Sequence, residues 1–231
     1  MLCCQVFAKM PLAGRVKTRL ARHAGKRRAA WLQRALLRRM LLAAGASGAR
    51  RLELWCAPRC AHPLLSRARS CLGWRLRRQV GDDLGARMTY ALDTALRRGD
   101  SVMLMGCDLP ALDDAQLRCV ARRLSAREPV VMLPTRDGGF GLLAAHASLG
   151  RWPPRVLRQV RWSRASTLAQ VVGRLRALGI APRLLPPSWD LDTRADLRYW
   201  RWQLYAQGER GVLPRYPIPA SLGSEACRGR V

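Results

Sequence analysis

The stretch at residues 102–112, VMLMGCDLPAL, decides how the rest of the chain is read. Four apolar residues lead through Gly106 and Cys107 to Asp108, and Pro110 stops a helix from starting at once. A short apolar run without alternation is the pattern of a strand covered on both faces. A carboxylate delivered at the end of such a strand is costly to bury unless a metal ion or a basic side chain neutralises it. The plainer alternative makes Asp108 a turn or helix-cap residue.

Working outward, apolar runs alternate with amphipathic stretches. Strands are expected at residues 2–8, 51–56, 76–80, 101–107, 129–134 and 183–185. Helices are expected at about 28–45, 84–97, 113–125, 164–178 and 193–206. In the second of these, Leu84, Met88, Ala91, Leu92 and Ala95 share one face, the spacing of a packed helix. Asp113 or Asp114 is placed to cap the third, and Thr193 the last. Strands alternating with helices predict an α/β protein with a mostly parallel sheet and helices on both faces, a three-layer α/β/α fold. Ligands of such sheets sit beyond the carboxyl ends of the strands. Residues 1–207 read as one domain, and 208–231, rich in Gly, Pro and Ser without periodicity, as a loose tail.

Three more unusual segments fall at expected strand ends. Residues 6–20, VFAKMPLAGRVKTRL, run from a strand through a Gly14 turn into a series of cations, Arg15, Lys17 and Arg19. Strand, glycine turn and helix form a geometry that offers amides to phosphate oxygens. The spacing matches neither a P-loop nor GxGxxG, so a plain charged turn stands beside the phosphate cradle. In PTRDGGFGLL, residues 134–143, Asp137 precedes two glycines between apolar runs and signals a hairpin turn. In SWDLDTRADL, residues 188–197, Asp190 and Asp192 alternate. One is expected to turn toward Asp108 and the other to cap the helix near Thr193; both could instead cap.

Composition narrows the partners. The 231 residues carry a formal charge of +27, yet lysine occurs only at 9, 17 and 26, and the remaining basic residues are arginines spread over nearly every segment. No recognition helix, zinc finger or aromatic RNA-binding signature accompanies them, so nucleic acid is not expected as the main partner. No apolar run approaches the roughly 20 residues of a membrane span. The start of the chain lacks the basic region of a signal peptide, so a cytoplasmic location and reduced thiols are expected. Cys56, Cys60 and His62 lack a second ligand pair at zinc spacing.

Together the segments FAKMPLAGRVKTRL, QVGDDLGARM, GCDLPAL, RDGGFGLL, WSRAST and WDLDTRADL, in that order, resemble a bacterial family of uncharacterised GT-A-like transferases. Its members are often described as glycosyltransferases or as radical-SAM/selenodomain-associated transferases. The resemblance covers roughly residues 3–200 and implies the nucleotide-diphospho-sugar transferase fold, shared with molybdenum-cofactor and 2-phospholactate guanylyltransferases. It implies that Lys9, Gly14, Arg15, Lys17 and Arg19 hold nucleotide phosphates, with Gln79, Asp83, Gly85 and Arg87 near the base or a phosphate. Asp108 and Asp192 would hold Mg²⁺ or Mn²⁺, Lys17 and Asp108 would be catalytic, and Asp137, Gly138 and Gly139 would face the acceptor. The implied function is sugar transfer from an NDP-sugar to a small-molecule acceptor. Nucleotidyl transfer from an NTP to a phosphorylated small molecule is the alternative; a non-catalytic nucleic-acid-binding or scaffold protein is the second. The family pattern is broken at three places: Ala13 and Arg194 stand where proline is usual, and Phe140 where tyrosine is.

Overall fold

The computed structural model describes residues 1–57 and 63–206. The tail expected over 208–231, and Cys60 and His62, lie outside the described residues. In chain order the elements are β1 (Leu2–Lys9), α1 (Thr18–Ala24), α2 (Lys26–Gly45), β2 (Arg51–Ala57), α3 (Pro63–Leu72), β3 (Arg75–Arg78) and α4 (Leu84–Leu96). They continue with β4 (Ser101–Gly106), α5 (Asp114–Arg123), β5 (Val130–Pro134), β6 (Phe140–Ala145), α6 (Pro154–Leu157), α7 (Thr167–Arg176), β7 (Arg183–Leu184) and α8 (Arg194–Ala206).

Among the described residues the strands form one seven-stranded sheet in the order β3-β2-β1-β4-β6-β5-β7. All neighbours pair in parallel except β6, which runs antiparallel to β4 and β5. The period-two alternation of strand side chains feeds two separate cores. Cys4, Val6 and Ala8 of β1 face a layer containing α2, α3 and α5, whereas Cys3 faces a layer containing α4, α6 and α7. The three-layer α/β/α arrangement with a mostly parallel sheet is therefore the fold.

The strand at 140–145 is absent from the sequence expectation, although the Asp-Gly turn before it is present as a hairpin. Its run FGLLAA pairs Leu142 and Leu143 with Leu133 and Met132 of β5 and with Met105 and Leu104 of β4. Helices α1, α3 and α6 also go beyond the expectation; α1 and α6 are too short to show a periodic stripe. Asp113, not Asp114, caps α5, and Gln116 answers with a reciprocal bond to the Asp113 amide.

Strand order reverses direction between β1 and β4, whose carboxyl ends are Lys9 and Gly106. Successive crossovers leave on opposite faces there and open a crevice between them, the usual ligand position of an open α/β sheet.

Candidate active site

The crevice above β1 and β4 is a cleft of about 1000 Å³. Its floor is built from Phe7, Ala8 and Gly106, and its rim carries Lys9, Arg15, Arg19 and Arg136. Lys17 stands at its centre. This residue is the N-cap of α1 in a left-handed conformation, φ 48°, which a non-glycine residue adopts at a cost. The turn aims its side chain inward, where only 3% of it is exposed.

The Lys17 ammonium lies 2.9 Å from Asp108 Oδ1 and 3.9 Å from Asp192 Oδ1, and it donates to the Leu191 carbonyl at 2.5 Å. The Leu191 amide in turn donates to the Asp108 carbonyl at 2.9 Å, which ties the 189–193 loop to the end of β4. Arg19 approaches Asp192 Oδ2 at 3.5 Å from the solvent side. A buried cation thus holds two half-exposed carboxylates from β4 and from the loop before α8 around one point. The cation partner that the Asp108 reading required is Lys17.

Asp190 and Asp192 both line the cleft, and neither caps α8. The cap is Thr193, whose hydroxyl accepts from the Asp196 amide, while Asp196 accepts from the Thr193 amide and hydroxyl. Burial, then the nearby Asp137 charge, pushes the Asp190 carboxyl above its ordinary value of 3.8. The folded state therefore holds this proton more tightly than the unfolded chain. Between 3.8 and the raised value, stability falls as pH rises, and above that value the cost stays. Asp190→Asn should raise Tm at pH 7 by about 1 °C, a small effect because the group is half exposed. Thermal melts at pH 7 and pH 3 check this: the gain should vanish at the lower pH.

Beside the cleft, and sharing Phe7, Leu84, Asp108, Asp137 and Asp190 with it, lies a smaller pocket of about 250 Å³. Met88, Leu104, Leu109, Phe140 and Trp162 make its apolar wall, with the Phe140 and Trp162 rings 6.1 Å apart. Asp137 Oδ1 accepts from Thr135 Oγ1 at 2.6 Å and from the Gly139 amide at 3.0 Å, so the turn is locked onto its own carboxylate. Gly138, φ 83°, abuts the Ala165 carbonyl, and its own carbonyl accepts from Leu168. This clamps the hairpin turn against the 163–166 loop.

The structure brings Lys9, Arg15, Lys17, Arg19, Gln79, Asp108, Asp137 and Asp192 to the cleft and Gly139 to the small pocket. Three residues expected near the nucleotide are not in either lining. Asp83 caps α4 by accepting from the Ala86 amide at 2.7 Å, and Arg87 reaches back to the Gly81 carbonyl at 2.8 Å. Gly85 is a contact point between helices: a Cβ there would sit 2.0 Å from the Leu157 carbonyl oxygen. Gly14 lies outside the linings too, packed against the Lys26 side chain. The Arg15 amide bonds the Leu12 carbonyl within the turn, so this loop presents side-chain cations rather than that amide. Asp83→Ala should cost about 1 kcal/mol of stability, about 2–4 °C in Tm, through the lost cap. Nucleotide affinity, read by calorimetry, should stay within twofold of wild type.

Sequence reasoning missed Arg136, Trp162 and Phe7 as lining residues, and it noted Phe140 only as a departure from the family's tyrosine. The signal available for Trp162 was its place in the WSRAST segment.

Among the described residues no group of three or more His, Cys, Asp or Glu side chains forms a metal cage. Asp108 and Asp192 nevertheless converge on one cationic centre. Two carboxylate oxygens completed by ligand phosphates and water are the donor set that Mg²⁺ or Mn²⁺ accepts. The residues present fit such an ion in that mode.

Comparison with known proteins adds kinship to this geometry. Residues 40–164 match a family described as "Uncharacterized protein conserved in bacteria (DUF2064)". The match includes Gln79, Asp108 and the 137–139 turn. No curated protein matches the chain. Among solved structures, a provisionally assigned nucleotide-diphospho-sugar transferase from Desulfovibrio desulfuricans G20 is 28% identical with TM-score 0.78, covering 91% of this chain and 88% of that one. A nucleotidyl transferase from Methanothermobacter thermautotrophicus is 19% identical with TM-score 0.60, covering 90% of this chain and 99% of its own. A CMP:2-keto-3-deoxy-manno-octonic acid synthetase complexed with CTP is 12% identical with TM-score 0.51, covering 89% and 99%. The last two share the fold.

Proposed function

The chain belongs to the bacterial DUF2064 family, and we propose that it is a transferase acting on a nucleotide-activated donor, with sugar transfer from an NDP-sugar as its reaction. One observation carries the reading. A buried lysine draws two carboxylates from different elements to one point inside a cleft rimmed by Lys9, Arg15, Arg19 and Arg136. A scaffold has no use for that arrangement, because a buried ion pair is weak evidence of stability and is costly to desolvate. A diphosphate with a divalent cation is the ligand that satisfies both halves: cationic side chains meet the phosphate oxygens and the carboxylates meet the ion.

The roles follow from position. Arg15 and Arg19 neutralise the diphosphate. Lys17 fixes Asp108 and Asp192 and stabilises charge on the departing phosphate. Asp108 and Asp192 would hold the Mg²⁺ or Mn²⁺, which supplies further stabilisation of that charge. In the transfer, an acceptor oxygen bonds to the anomeric carbon and the bond from that carbon to the diphosphate oxygen breaks. The nucleoside diphosphate leaves with the electron pair, and the acceptor proton passes to solvent. Among the described residues no histidine lines the cleft, so positioning and electrostatics carry the rate.

Nucleotidyl transfer from an NTP remains the second reading, favoured by one feature: Asp108 stands without a second aspartate two residues before it, where Gly106 lies instead. Calorimetric titration with NTPs and NDP-sugars, with and without Mg²⁺, on wild type and Asp108→Ala separates the two. NDP-sugar binding that needs the metal and Asp108 supports sugar transfer. NTP binding without NDP-sugar binding moves the reading to nucleotidyl transfer, and binding of neither removes both.

A further inference from the structure

The small pocket beside the cleft has a charge pattern opposite to the rest of the molecule. The chain carries 42 basic and 15 acidic residues among 231. At those frequencies a lining of sixteen residues would hold about three basic and one acidic. Among the described residues the lining holds none of the former and three of the latter, Asp108, Asp137 and Asp190. Burial disfavours any charge, so an apolar pocket free of both signs would mean little; this one excludes cations and keeps carboxylates. The apolar wall of Met88, Leu104, Phe140 and Trp162 stands opposite them.

We propose that this pocket receives the acceptor, and that the acceptor is a small, phosphate-free alcohol or amine with an apolar face. The inference rests on the transferase reading for the word acceptor, because the pocket continues the proposed donor cleft through Asp108 and Asp137. Its chemistry rests on the lining alone. A phosphate monoester carries nearly two negative charges at neutral pH. Here it would face Asp137 and Asp190 with no cation from the pocket wall, since the lysine that neutralises Asp108 lies on the cleft side. A hydroxyl or ammonium donates hydrogen bonds to the same carboxylates, while an apolar ring or chain lies on Phe140 and Trp162. The pocket is rigid where this recognition needs it. The Asp137 carboxylate is fixed by Thr135 and Gly139, and the hairpin turn is tied to the first turn of α7 by the Gly138–Leu168 bond. Ser163, which lines both spaces, is held at φ 58°, a strained conformation for a non-glycine residue. An acceptor of this class attacks through oxygen or nitrogen rather than through a phosphate oxygen, which separates sugar transfer from nucleotidyl transfer onto a phosphorylated compound.

The test uses the full chain without nucleotide and four probes. They are benzyl alcohol and benzyl phosphate, and phenyl glucoside and its 6-phosphate, read by ligand-observed NMR in competition. The neutral member of each pair should displace its partner and bind at least tenfold more tightly at the site sensitive to Phe140→Ala. Asp137→Asn should narrow that preference to about threefold or less while the fold, read by circular dichroism, stays intact. Phosphate esters that bind only in the cationic cleft are recognised because Lys17→Ala, and not Phe140→Ala, releases them. The proposal is overturned if the esters match the neutral probes at the Phe140-sensitive site, or if no neutral probe binds there. A parallel nucleotide titration separates the two failures: neutral probes binding without nucleotide binding removes the donor reading alone.

Discussion

Lys17→Ala should lower kcat by about 100-fold or more, the scale set by loss of one preorganised group at developing charge, and should weaken nucleotide binding in the presence of Mg²⁺ as well. The same change should destabilise the free protein. Removing one partner of a buried pair costs about 3–5 kcal/mol, but Asp108 and Asp192 are 44% and 38% exposed and water screens part of that cost. The Leu191 carbonyl also loses its donor. A net loss of about 2 kcal/mol, or about 4–8 °C in Tm, is expected. A second readout tells the carboxylate pair from a generic packing defect. With the ammonium gone, two like charges share one point, so Mg²⁺ should raise Tm more in Lys17→Ala than in wild type. Differential scanning fluorimetry across a Mg²⁺ series measures both effects.

Gly138→Ala, in the turn beside the small pocket, should be strongly damaging. The φ of 83° already disfavours any L side chain, at about 1–2 kcal/mol. The added Cβ would also stand 2.2 Å from the Ala165 carbonyl oxygen and 2.5 Å from its Cα. Both obstacles are backbone, so no side-chain rotation relieves them, and the turn or the 163–166 loop must move. A loss of about 3 kcal/mol, or about 6–12 °C in Tm, follows. Movement of that loop carries Ser163 and Trp162 away from Phe140, so binding in the small pocket should disappear. Nucleotide affinity should fall by less than about threefold, because Lys9, Arg15 and Arg19 stay in place and Arg136 is the one rim cation on a moved segment. Melting curves and the probe titrations on one preparation check both halves.

The sequence carried the sheet and most helices because each presents its signal locally. The run ending at Gly106, the stripe of α4 and the Asp113 cap are each contained within a dozen residues. Strand β6 escaped because its apolar run begins at Phe140 and Gly141, immediately after a turn that already accounted for the glycines. The site was legible residue by residue, and its assembly was not. Lys17 and Asp108 are 91 positions apart, and nothing local to either shows that a left-handed turn at Lys17 will bury the ammonium against that carboxylate. The segment QVGDDLGARM gave the opposite lesson. Its resemblance pointed to nucleotide contact; Gln79 lines the cleft, while Asp83, Gly85 and Arg87 make a helix cap, a helix–helix contact and a loop tie. An Asp directly before the first apolar residue of a helix is itself a cap signal. The apolar wall of the small pocket was hidden, since Phe7, Leu104, Phe140 and Trp162 meet only when four separate segments have packed.

The central claim, that Asp108 and Asp192 hold a divalent cation against a diphosphate neutralised by Arg15 and Arg19, has a direct measurement. Crystals soaked with Mn²⁺ and a nucleoside diphosphate should show an anomalous peak between the two carboxylates, with the phosphates facing Arg15, Lys17 and Arg19. The peak should be lost in Asp108→Ala crystals given the same soak. Mn²⁺ bound elsewhere, or a diphosphate lying away from Lys17, would contradict the account.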